Sequence, residues 1–145
     1  MFSNIFILLA ILISISEASD KFTFDLTITC RHTERPKFWY EVDFIENDTA
    51  SPGDRMKKPY SEEIPTGTKK IQFIGSQDGD ENFSKGYSIS AIFEHDCTPE
   101  RSRTKVNFRF TDFCKIGRDC TIRFDADLTD KQGLINAKAR ISYFA

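Results

Sequence analysis

The chain is poor in the residues that most often carry chemistry. Its 145 residues include two histidines (His32 and His95), one tryptophan and two methionines. No C-x2-C pair occurs, so the short paired spacing of structural zinc sites is absent. No G-x-S-x-G elbow is present, and a Ser-His-Asp triad would have to be assembled from many serines without any geometry. His95 and Asp96 are adjacent. On a strand they would point to opposite faces, so they read as a strand end, with Asp96 satisfying backbone donors beside a structural Cys97. The acidic stretch GSQDGDEN, residues 75–82, lacks the EF-hand pattern and reads as an acidic turn. We therefore expect no enzyme active site, metal or cofactor.

An excess of one charge is also missing. Twenty basic and 22 acidic residues give a net charge of −2, which leaves no broad electrostatic footprint for nucleic acid. A membrane-spanning run is absent as well. The apolar stretch Ile5 to Ile15 falls short of the ~20 residues a bilayer needs. It has the length of a signal-peptide core, and Ser16 and Ala18 place small residues before a cleavage site. Residues 1–18 are thus expected to be a signal peptide, with residues 19–145 forming a single secreted domain.

What is present follows from that address. Cys30, Cys97, Cys114 and Cys120 are an even set, which in an oxidising compartment implies disulfides. Three pairings are possible. Cys114 and Cys120 enclose KIGRD, whose central Gly117 suits a tight loop, and this favours a local bridge with Cys30 left to pair with Cys97. Two N-glycosylation sequons, at Asn47 and Asn82, lie in polar stretches that read as loops.

Apolar residues recur with period two. Phe22, Phe24, Leu26, Ile28 and Cys30 alternate with polar residues, as do Phe38, Tyr40, Val42 and Phe44. Further runs centre on Ile71 and Phe73, on Tyr87 to Phe93, on Val106 to Phe110 and on Cys120 to Ala126. Ile135 to Tyr143 closes the chain as one more. Turn-rich stretches separate them, and Arg55 to Glu63 reads as either a short helix or an additional edge strand. The pattern predicts an all-β, antiparallel, disulfide-stapled β-sandwich of about seven to eight strands.

Four segments carry a family resemblance. LTITC ends the first strand at Cys30, and Phe73-Ile74-Gly75 ends a later one. YSISAIFEHDC leads into His95, Asp96 and Cys97, and Gly133-Leu134-Ile135-Asn136 follows near the end. In that order they resemble the nematode transthyretin-like secreted proteins. Arg31-His32 stands where the family has a turn glycine, and the Cys114 to Cys120 loop is an addition. The resemblance implies a transthyretin-like, broadly immunoglobulin-like sandwich and an extracellular, non-enzymatic role. Some relatives recognise phosphatidylserine on dying cells, and others are secreted by parasites toward a host. Hydrolases of the wider fold act on 5-hydroxyisourate with two histidines, an arginine and a terminal Tyr-Arg-Gly-Ser, but this chain ends Ser142-Tyr143-Phe144-Ala145. Such a hydrolase, or a carrier of an apolar small ligand, is the alternative reading.

Binding residues are sought among the cations and the tryptophan. Lys57-Lys58, Lys69-Lys70 and the run Arg101, Arg103, Lys105 are local basic clusters, and the last could pair with lipid phosphate or another anion. Trp39 falls on the strand face opposite Phe38 and Tyr40, which makes it a candidate contact for a partner or a membrane interface. The expected partner is an extracellular protein or an anionic lipid surface.

Overall fold

The computed structural model describes residues 19–47, 53–78 and 86–144. The signal-peptide segment, the Asn82 sequon and the acidic turn beyond Asp78 lie outside the described residues. Ten strands follow in order: β1 (Asp20–Cys30), β2 (Lys37–Glu46), β3 (Asp54–Arg55), β4 (Tyr60–Pro65), β5 (Gly67–Gln77), β6 (Ile89–His95), β7 (Thr104–Phe110), β8 (Cys120–Asp127), β9 (Gly133–Ala137) and β10 (Arg140–Tyr143). The period of two is realised as burial. Phe22, Phe24, Leu26, Ile28 and Cys30 of β1 are all at most 1% exposed, while the residues between them face outward.

Two sheets pack face to face. One has the order β10-β8-β1-β5; the other runs β3-β2-β6-β7-β9, with β4 also pairing with β2. Both sheets are mixed rather than purely antiparallel, because β1 runs parallel to β8 and β7 parallel to β9. The stretch 55–63 supplies edge structure: β3 and β4 both pair along β2, and no helix forms there. The core is aromatic. Phe24 stacks on Phe44 across the sheets with centroids 3.9 Å apart, and Phe108 meets Phe124 at 5.0 Å. Contacts of this kind add about 0.5–1.5 kcal/mol each beyond their area burial.

The last alternating run departs from expectation. Ile135 to Tyr143 is not one strand but two, β9 in the six-stranded sheet and β10 in the four-stranded one. The chain crosses between sheets at Lys138 and the buried Ala139, whose small side chain lets the backbone pass close to the core. A matching corner at Thr66 links β4 to β5. Thus both flanks of the sandwich are sewn by a strand pair that changes sheets, which restricts the open edges that invite foreign strands.

The disulfides are Cys30–Cys97 and Cys114–Cys120, the pairing favoured by the loop argument. The registers place them at opposite ends. Cys30 closes β1 and Cys97 follows β6, so this bridge ties the two sheets together at what we call the upper end. Cys114 and Cys120 flank the turn into β8 at the lower end. Gly117 adopts φ 79° there, a left-handed conformation that L side chains rarely adopt, and its N–H donates to Asp20 at 2.8 Å. Asp20 is buried and also accepts the Tyr87 hydroxyl at 2.5 Å, so one carboxylate holds together the start of β1, the disulfide loop and the strand entering β6. Burial and that bond to Asp20 push the Tyr87 phenol well above its ordinary pKa.

Candidate functional site

The upper end gathers most of the candidates. Alternation along β2 buries Phe38 and Tyr40 and leaves Trp39 half-exposed on the outer face of the six-stranded sheet. The segment between Cys97 and β7 then arches over that face. Its first turn is closed by Thr98 N–H donating to Asp96 O at 2.8 Å, and by Arg101 N–H donating to Thr98 O at 3.2 Å. The Thr98 hydroxyl donates to Ser102 O at 3.0 Å. Arg101 itself sits at φ 57°, a left-handed conformation uncommon outside glycine.

This loop brings Arg103 onto Trp39. The guanidinium carbon lies 4.0 Å from the centroid of the indole ring, a close cation–π stack. Arg101 Nη2 donates to Lys37 O at 3.3 Å, which ties the loop to the start of β2. Among the described residues neither Arg101 nor Arg103 is ion-paired with a carboxylate. Two other lysines of the clusters, Lys69 and Lys105, and the neighbouring Lys37 are engaged. Lys105 pairs with Glu94 at 3.5 Å, Lys37 with Glu63 at 3.7 Å and Lys69 with Glu62 at 3.1 Å. Lys105 is therefore the weakest of the three loop candidates as an anion ligand.

His95 and Asp96 serve structure. The His95 ring is fully buried; Nδ1 accepts from Cys97 N–H at 3.1 Å, and Nε2 donates to Lys131 O at 2.9 Å. Both nitrogens are used and the neutral tautomer is fixed, with burial holding its pKa below the usual histidine range. Asp96 points elsewhere, accepting Trp39 N–H at 2.8 Å on Oδ1, while its own N–H donates to Trp39 O at 3.2 Å. It extends the β2–β6 ladder past its last strand pair and so sets the backbone under Trp39. The second histidine, His32, contacts Asp130 at 2.7 Å and Glu34 at 3.2 Å, so neither ring faces a serine hydroxyl.

Arg35 has no counterpart in the sequence reading. It is buried beside these residues and donates from Nη2 to Asp96 O at 2.5 Å. Nothing in a single sequence marks an arginine between two turns as a buried donor. By contrast, the exposure of Trp39 followed from alternation alone. Its pairing with Arg103, 64 positions away, needed the β2–β6–β7 register.

Among the described residues no cluster of histidine, cysteine or acidic side chains is arranged to hold a metal ion, and no helix is long and apolar enough to cross a membrane. The surface at Trp39 is aromatic and of mixed charge. Glu63 lies opposite Trp39, and Glu41 and Glu94 share its face, while Arg103 on the indole and Arg101 beside it are the two guanidinium groups positioned to meet an anionic group. No protein-family model, curated protein or solved structure matches the chain.

Proposed function

We propose that the chain is a secreted, non-enzymatic extracellular binding protein, similar to the nematode transthyretin-like proteins, that engages an anionic partner at its upper end. The observation that carries this is the Arg103 guanidinium stacked on Trp39 with no carboxylate partner among the described residues, beside Arg101, which donates to the Lys37 carbonyl and likewise has no carboxylate partner among them. A cation held by an aromatic face keeps its donors for a phosphate or carboxylate, and arginine presents them as a planar fork. Phospholipid headgroup phosphate is the partner chemistry this arrangement fits best, with an acidic patch on a cell-surface or host protein as the competing source. Both histidines being committed to structural contacts supports the non-enzymatic part of the reading.

Co-sedimentation with phosphatidylcholine vesicles, with and without phosphatidylserine, tests the lipid version. Preference for the anionic vesicles is expected, weakening with salt and with Arg101→Ala or Arg103→Ala. Equal binding to both vesicle types would sink it and move the search to acidic proteins.

A further inference from the structure

Asn47 heads the sequon Asn47-Asp48-Thr49, yet its side chain is already engaged. Its Nδ2 donates to the Ser90 hydroxyl at 2.9 Å, and the same hydroxyl lies 3.1 Å from its Oδ1, to which it donates in turn. One oxygen within reach of both amide atoms must sit on the side that Oδ1 shares with one Nδ2 hydrogen. Ser90 is fully buried in β6, and the Asn47 N–H donates to Ser88 O at 2.6 Å. The end of β2 is thus clasped to β6 by backbone and side chain together.

Attachment of a sugar forms a bond from Nδ2 to the sugar C1. The carrier leaves with the electron pair of its C1–O bond, and one Nδ2 hydrogen departs as a proton. The product is a secondary amide, which favours the arrangement that places its two carbon substituents trans. Trans to Cβ is the position beside Oδ1, which the Ser90 hydroxyl occupies. We infer that a glycan on Asn47 and the native Asn47–Ser90 clasp exclude one another, so this sequon is open to modification only before β2 and β6 have paired. Each outcome has a structural consequence. A chain modified early must hold Asn47 in another rotamer and leave the buried Ser90 hydroxyl without this partner. A chain that folds first shields the site. The inference is independent of what the upper end binds.

A soluble N-glucosyltransferase acting on Asn-Xaa-Ser/Thr tests this without reliance on secretion. The folded, disulfide-bonded protein and the same chain reduced and alkylated would be treated in parallel, with Asn47 occupancy read by mass spectrometry. Asn47 is expected to be modified at least about tenfold more slowly in the folded protein, with the rate recovering in Ser90→Ala. Equal rates in folded and alkylated chains would overturn the inference. A second measurement needs no enzyme. In the NMR spectrum of the folded protein, one Asn47 side-chain amide proton should exchange about tenfold more slowly than that of a free asparagine, and Ser90→Ala should abolish the protection. Exchange at the free rate in the unmodified protein would equally overturn it.

Discussion

His95 carries a pH dependence whose sign follows from its burial. The folded protein holds the ring neutral and lowers its pKa, whereas the unfolded chain takes up a proton near the ordinary value of about 6.5. Between those two pKa values the unfolded state binds more protons, so stability is fully present above about 6.5 and falls as the pH drops below it. The contribution approaches at most ~1.4 kcal/mol per pH unit for one proton. Urea midpoints from neutral pH down to about 5 should show this slope in the native chain and lose it in His95→Asn. An unchanged slope in the variant would assign the pH dependence to other groups. Gly75 makes a different kind of residue-scale commitment. A Cβ built there would lie 2.9 Å from Met56 O and 3.4 Å from Phe24 Cε2, and that same carbonyl accepts Ser76 N–H at 3.1 Å. The obstacle is backbone, so Gly75→Ala is expected to destabilise by roughly 1–3 kcal/mol. A denaturant midpoint within error of the native value would show that the β5 edge yields easily. His95 and Gly75 were both legible as parts of motifs, but the reason each residue type is needed lies in partners from distant strands.

At the scale of elements, the alternation was legible because one face of nearly every strand is buried, and burial writes itself into sequence with period two. It misled at Ile135 to Tyr143 for the same reason. A strand that crosses from one sheet to the other keeps an inward and an outward face on both sides of the crossing, so the period runs on while the partner sheet changes. Parallel pairing of β1 with β8 and of β7 with β9 was equally invisible, since alternation reports which face is buried and not which neighbour pairs. The disulfides were readable from loop chemistry, and their energetic roles should differ. Cys30–Cys97 closes a loop with a separation of 67 residues, whereas Cys114–Cys120 spans 6. In the chain-entropy model the first stabilises by about 4 kcal/mol and the second by about 2 kcal/mol. Replacing each pair with alanines and comparing urea unfolding should reproduce that order. A larger loss from the Cys114–Cys120 pair would mean that the lower-end network around Asp20 depends on the bridge more than on its own hydrogen bonds.

Across the whole molecule, the two staples make the ends separable, and this bears on where a partner can act. The upper-end loop begins at Cys97, whose carbonyl also accepts Asp130 N–H at 3.0 Å, so the Cys30–Cys97 bridge fixes the root of the segment that carries Arg101 and Arg103. The lower-end bridge touches neither Trp39 nor that loop. It is held instead by Asp20 and by Tyr143, whose hydroxyl accepts Lys115 N–H at 3.1 Å. Trp39 is the only tryptophan, so its fluorescence reports the upper end alone. Loss of Cys114–Cys120 should therefore lower global stability yet leave the emission spectrum and anionic-vesicle binding of the folded protein unchanged. Loss of Cys30–Cys97 should release the loop, separate Arg103 from the indole, alter the emission and weaken vesicle binding. Arg103→Ala supplies the reference, because it removes the stack, worth about 0.5–1 kcal/mol at an exposed site, while leaving both bridges in place. If removing the lower bridge impairs binding as strongly as Arg103→Ala does, the contact surface extends to the lower end, and an assignment to Trp39, Arg101 and Arg103 alone fails.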